Sequence, residues 1–200
     1  MRVPYKSFCA FVILLFSASS LALAQGIAAG SGEAAGTIGY AHVDGVTSYN
    51  HFAFGGSGSY NLDQNVAAGF EYKYTPLGSE TVGGATATGK LQTYGGAARF
   101  SFCDSSTVVP YALVGFGGVN QKAVASAGAI SVSASQSGYY FAFGSGASIF
   151  VNPRWGIRPE FRFERQQFVA NNQFAAFGQN DPQFLVSVFY QVGGRLSQKH

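Results

Sequence analysis

Two groups of residues have the types that catalysis needs. Glu160 and Glu164 stand four positions apart, interleaved with Arg158 and Arg162. Paired carboxylates can act as general acid and base. His42, Asp44, Ser48 and His51 form a second group in one short stretch. Together they offer a nucleophile with a base. No recognised spacing ties that second group together, and its residue types are common in loops. The third histidine, His200, is distant in sequence, and the Gly-rich stretches lack the strand–loop–helix setting of a phosphate site. No cofactor and no metal site is therefore expected.

The element that carries the first group decides its meaning. Trp155, Ile157, Pro159, Phe161 and Phe163 alternate with Gly156, Arg158, Glu160, Arg162 and Glu164. Side chains alternate across a strand, so this is one strand with an aromatic face and a charged face. The aromatic face is too large to leave in water, and the charges alternate in sign. Lipid on one side and a polar lumen on the other satisfy both faces.

Composition agrees. Of the 200 residues only 10% are charged, against roughly 25% in ordinary soluble domains. Aromatics reach 16%, with 19 Phe, 11 Tyr and 27 Gly. Gly and aromatics form helices poorly and suit strands, turns and an aromatic belt. Residues 1–24 differ: Arg2 and Lys6 precede an apolar run that ends in Ala22-Leu23-Ala24 before Gln25. This predicts a secretory signal cleaved between Ala24 and Gln25. Removing Arg2 and Lys6 lowers the net charge from +3 by two, to +1, too little for nucleic-acid binding. Cleavage also leaves Cys103 as the one cysteine, which predicts a free thiol and no disulfide framework.

The same alternation recurs along the chain. Val66–Tyr74 sets Phe70, Tyr72 and Tyr74 opposite Glu71 and Lys73. Tyr94, Phe100 and Phe102 share a face opposite Thr93, Gly95 and Arg99. Tyr139, Phe141, Phe143 and Ile149 share another, opposite Ala142, Gly144, Gly146 and Ser148. Phe184–Val192 alternates less cleanly, because Leu185 and Phe189 lie on its polar side. Ala35–Val43 and Phe52–Leu62 add two strands, and Val109–Gln121 a third that is apolar on both faces. Its glycines favour Gly115 and Gly117 pointing inward. The total is eight strands.

Tight turns at Leu62–Asn65, Asp104–Thr107 and Val151–Arg154 alternate with longer connections at 44–51, 76–90, 122–136 and 167–183. Short turns at one rim and long loops at the other describe an outer-membrane barrel with both termini in the periplasm. The fold class expected is all-β: an eight-stranded antiparallel up-and-down transmembrane β-barrel over residues 34–193. Residues 25–33 are expected to be a short periplasmic segment and 194–200 a periplasmic tail.

Residues 36–42, 95–102, 110–117, 143–147 and 154–161 carry these strand patterns most clearly. On them the chain resembles the small eight-stranded outer-membrane barrel domains of the OmpA/OmpX type. The resemblance covers essentially all of the mature chain, without a peptidoglycan-binding domain. It implies a monomer among outer-membrane lipid and lipopolysaccharide, inserted by the outer-membrane assembly machinery. Family members usually end on an aromatic residue of the last strand, whereas this chain runs on through Gly193 to His200. Some similar barrels modify lipid A with His and Ser at the outer rim, but no such signature is present in the last strands.

An eight-stranded barrel has room inside only for its own side chains. Buried charges there must pair. Four basic groups (Lys73, Arg99, Arg158, Arg162) face three acids (Glu71, Glu160, Glu164). They predict a salt-bridged plug, with a small ion-conducting pore as the alternative. Trp155, Tyr190, Tyr60 and Phe102 near the short turns, and Tyr40, Tyr74 and Tyr139 near the long loops, predict two interfacial girdles. The long loops are nearly uncharged and would meet an extracellular ligand without electrostatic capture. A structural or surface-interaction role is expected, and no enzyme.

Overall fold

The computed structural model describes residues 27–43, 49–102, 107–128, 130–172 and 174–193. Its strands are β1 (Ser31–Val43), β2 (Tyr49–Asn61), β3 (Val66–Val82), β4 (Ala85–Ser101), β5 (Val108–Ala127), β6 (Ile130–Phe150), β7 (Trp155–Phe168) and β8 (Phe177–Gly193). Each pairs antiparallel with its sequence neighbours, and β1 pairs with β8 to close the barrel. Closure satisfies the backbone groups that hydrocarbon could not.

Faces follow the alternation. Ile38, Phe70, Phe116, Phe141, Phe161 and Phe184 point outward and are each more than half exposed. Glu71, Lys73, Arg158, Glu160, Arg162 and Glu164 are buried inside. β5 turns Val109, Tyr111, Leu113, Gly115, Gly117 and Val119 inward. Gly117 is opposite Gly95, and both are small for a reason. A Cβ on Gly117 would stand 2.8 Å from Tyr140 Cε1, and one on Gly95 2.8 Å from the Tyr140 hydroxyl. The fully buried Tyr140 ring occupies the space that the two glycines leave.

The turns at one end are held by side chains. Asp63 Oδ1 accepts from the backbone N–H groups of Asn65 and Val66, both at 2.7 Å. Asn152 Oδ1 does the same for Arg154 at 2.9 Å and Trp155 at 2.8 Å. Asp and Asn favour such turns because their short side chains mimic a backbone carbonyl.

Two expectations change. The barrel begins at Ser31, not residue 34: β1 stays in register with β8 down to Ser31↔Gly193. Gly32, Ala34, Ala35 and Gly36 are too small to reveal a pattern, so Glu33 belongs to the barrel and not to a periplasmic segment. Second, 76–90 and 122–136 are mostly strand, not loop, and residues 167–168 and 177–183 of the connection expected at 167–183 are strand as well. β3 and β4 stay paired to Val82↔Ala85, across an irregularity at Pro76/Ser79. β5 and β6 stay paired to Ala127↔Ile130. Gly83 and Gly84 make the first turn with φ of 59° and 83°, the left-handed pair a two-residue hairpin favours. Ala, Ser and Thr there resemble loop composition, yet they alternate. Ala85, Ala87, Ala123, Ala125 and Ala127 fall on one face, and Thr86, Thr88 and Ser126 on the other. The four strands thus rise beyond the barrel as a half-wall.

Candidate functional site

The lumen is layered. At the short-turn end Ile27, Val109, Phe150 and Phe189 form an apolar floor. Ile27 reaches it because the chain turns at Gly30, whose N–H donates to the Asn61 carbonyl at 2.8 Å. Asn61 Nδ2 donates to Ser31 Oγ at 2.8 Å, which fixes the entry to β1. At the other end Ala41, Val43, Ala53, Leu91, Val119 and Phe168 form an apolar roof.

Three ionic groups lie between these layers. Nearest the floor, Glu33 accepts from Arg99 Nη1 and Nη2, both at 3.2 Å, and from Arg158 Nη2 at 2.7 Å. The Tyr111 ring lies 5.7 Å from each of the two guanidinium carbons. Arg158 also covers the Phe189 ring at 4.5 Å. In the middle, Arg162 donates to Glu71 and, at 2.8 Å, to Glu160. Tyr111 donates to Glu160 at 2.7 Å, and Tyr140 to Glu71 at 3.2 Å.

Towards the roof, Lys73 donates to Glu164 and, at 2.6 Å, to Gln183 Oε1. Gln183 passes the chain on to Asp181 Oδ2 at 2.8 Å. Gln166 bridges the two carboxylates, at 3.1 Å to Asp181 and 3.4 Å to Glu164. Asp181 Oδ1 is buried with no hydrogen-bond partner.

The structure brings all seven sequence-predicted lumen residues together. It adds two acids, Glu33 and Asp181, and two tyrosines, Tyr111 and Tyr140. The count among the described residues becomes five carboxylates against four cations. Arg162 and Glu160 pair along one strand, whereas Glu33–Arg158 and Glu71–Arg162 span the barrel. A cavity of about 60 Å³ remains beside Ser57, Ser59, Gly69 and Ala97, where the wall is built of small residues.

The aromatic residues fall at two levels of the outer face. Trp155 meets Tyr190 at 4.7 Å, with Tyr60 and Phe102 exposed at the same end. At the other level Tyr40 packs on Phe52 at 6.0 Å, Tyr74 on Phe54 at 5.1 Å and Tyr139 on Phe116 at 6.5 Å. Tyr72 and Tyr94, opposite each other on β3 and β4, join this level.

His51 lies opposite Ala41, beside His42 at the rim. Burial holds its imidazole below the usual histidine range, a hydrogen bond to the Pro76 backbone opposes this, and the charge of His42 adds to it. Asp44 and Ser48 of the second group lie outside the described residues, as do Ala24, Gln25, Cys103 and the tail 194–200. No set of three or more His, Cys, Asp and Glu among the described residues could hold a metal ion.

The fold recurs in solved structures. Ail, the attachment invasion locus protein of Yersinia pestis, is similar with a TM-score of 0.58 and 17% identity, over 82% of this chain and 99% of Ail. Neisserial surface protein A is similar with a TM-score of 0.58 and 16% identity, over 81% and 96%. Ail is also solved with the heparin analogue sucrose octasulfate. No curated protein sequence matches the chain. The family model described as "Outer membrane protein beta-barrel domain" matches residues 8–188, most of the sequence. The chain belongs to that outer-membrane β-barrel family.

Proposed function

We propose that the protein is a closed, non-conducting outer-membrane barrel that acts at the cell surface. It sits as a monomer among phospholipid and lipopolysaccharide after insertion by the assembly machinery. The short turns and both termini face the periplasm, and the half-wall of β3–β6 stands outside. One observation carries this reading: apart from the cavity of about 60 Å³ beside the paired charges, the lumen is closed in layers by an apolar floor, paired charges and an apolar roof. An ion crossing it would have to break pairs in a water-poor interior and then pass two layers that cannot solvate it. The surface role is supported by the half-wall, whose hairpins are the parts farthest from the lipid. It also suits two similar barrels, one an attachment invasion locus protein and the other a surface protein.

Reconstitution of the wild type in planar bilayers tests closure. We expect no sustained single-channel openings, and sustained openings would overturn the closed reading in favour of a small pore. We assign no catalytic activity to the rim histidines. The lipid A profile of a deletion strain should match its parent, and a lipid A change restored by the wild type but not by His42→Ala would reverse that assignment.

A further inference from the structure

The outward face of β4 and β5 changes abruptly from apolar to cationic. β4 presents Phe100, Ala98, Gly96 and Tyr94, then Gln92 and Lys90. β5 presents Val114, Phe116 and Gly118, then Asn120 and Lys122. Register sets Tyr94 opposite Gly118, Gln92 opposite Asn120, and Lys90 opposite Lys122. Directly opposed residues hold their Cβ atoms about 4.5–5.5 Å apart, and like charges there repel.

Among the described residues nothing relieves this pair. No carboxylate among the described residues forms an ion pair with either lysine. Their neighbours in the same row are Pro76 and Ser135. The row beneath is already engaged: Gln92 Nε2 donates to the Tyr72 hydroxyl at 2.6 Å, and Asn120 Nδ2 to Ser137 Oγ at 2.9 Å. Among the described residues every outward charge in this zone is a cation, the third being Arg165, which donates to Asn180 at 2.8 Å.

We propose that Lys90 and Lys122 clamp a phosphate group of an outer-leaflet lipid. An ammonium offers three donors and no acceptor. A phosphate between two of them turns their repulsion into two charge-assisted hydrogen bonds. Position selects a lipid over a soluble polyanion. Lys90 lies four residues beyond Tyr94, about 10 Å higher once a strand's rise and tilt are counted. That is headgroup height for a lipid whose chains lie against Tyr94 and Phe116. The hairpin tip at Thr81–Thr86, which a soluble polyanion would meet first, carries no cation.

The proposal rests on the outer-membrane reading, with the half-wall outside. Native mass spectrometry of the folded, purified protein tests it, with bisphosphorylated and dephosphorylated lipid A as probes. We expect the wild type to prefer the phosphorylated lipid by about tenfold or more. The Lys90→Gln/Lys122→Gln double variant should lose that preference, and Lys90→Arg/Lys122→Arg should keep it. A heat-shift gel confirms that each variant is folded. Equal retention of both lipids by the wild type, or an unchanged preference in the glutamine variant, would overturn the clamp. Displacement by equimolar soluble tripolyphosphate would overturn the commitment to a lipid. Recovery of the wild type outside the outer-membrane fraction would remove the functional reading and the clamp with it. A variant in the outer membrane that keeps its preference would remove the clamp alone.

Discussion

Glu33 on β1 accepts from Arg158 of β7 at 2.7 Å across the lumen, and its other oxygen is held by Arg99 of β4. One carboxylate therefore joins three strands that are not neighbours in the sheet. Glu33→Ala would leave two guanidiniums buried around an empty position. Breaking a buried pair by removing one partner costs about 3–5 kcal/mol. The urea midpoint of the reconstituted barrel should fall accordingly. Adding Arg99→Ala should cost less than its effect alone, since the second deletion removes a charge already orphaned.

Asp181 should behave in the opposite way. It lies directly opposite Glu164, another carboxylate, and neutral amides hold its one engaged oxygen. Asp181→Asn keeps an acceptor for Gln166 and Gln183 and removes the like charge facing Glu164. We expect the urea midpoint to hold or rise. A loss on the scale of Glu33→Ala would mean that Asp181 has an ionic partner that the lumen does not display.

Gly146 makes room for the Tyr111 hydroxyl, which donates to Glu160. A Cβ on Gly146 would stand 2.5 Å from that hydroxyl and from the Pro159 carbonyl. Gly146→Ala should cost about 1–3 kcal/mol, as overpacking does. Tyr111→Phe removes the hydroxyl and strands a buried acceptor, costing about 1–3 kcal/mol. If the hydroxyl is the obstacle, the double variant should be more stable than the sum of the two losses implies. Strict additivity in a double-mutant cycle would locate the strain at the Pro159 carbonyl or at the ring carbon Cζ, 2.7 Å away, which phenylalanine keeps.

The sequence shows what alternation can show. Trp155–Glu164 reveals both its faces because large apolar and charged residues take turns. The seven lumen charges could be read for the same reason. Glu33 was hidden because Gly32, Ala34, Ala35 and Gly36 fit either face. Asp181 was hidden by Asn180 and Pro182, which look like loop. Tyr140 falls by parity on the side of Ala142, Gly144 and Ser148, but nothing in its run Tyr139-Tyr140-Phe141 marks it as the donor to Glu71. Leu185 and Phe189, which weakened the pattern of β8, are lumen packing: Phe189 lies under Arg158 and in the apolar floor. Pairing across the barrel, such as Glu33 with both arginines, depends on strand register, which alternation within one strand does not encode.

The half-wall depends on its turn. Gly83 and Gly84 both hold positive φ, a region that costs other L-residues roughly 1–2 kcal/mol each. Gly84→Val should loosen the β3–β4 hairpin locally and leave the barrel intact. Hydrogen exchange should speed up at Thr81–Ala87, while amides of Tyr72 and Tyr94 keep their protection. Loss of protection throughout β3 and β4 would show that the half-wall and the barrel fold as one cooperative unit.

Trp155 is the one tryptophan in the chain, so its fluorescence reports one depth. Its ring packs on Tyr190 at 4.7 Å, beside the turn where Asn152 caps the start of β7. An amphipathic ring at that end belongs at the headgroup boundary, not at the bilayer centre. Lipids brominated near the glycerol should quench it more strongly than lipids brominated near the chain terminus. Tyr190→Ala should increase its exposure to iodide while the heat-shift persists. Stronger quenching from the chain terminus would place Trp155 in the hydrocarbon centre and move the whole barrel along the membrane normal, raising Lys90 and Lys122 or sinking them out of the headgroup layer.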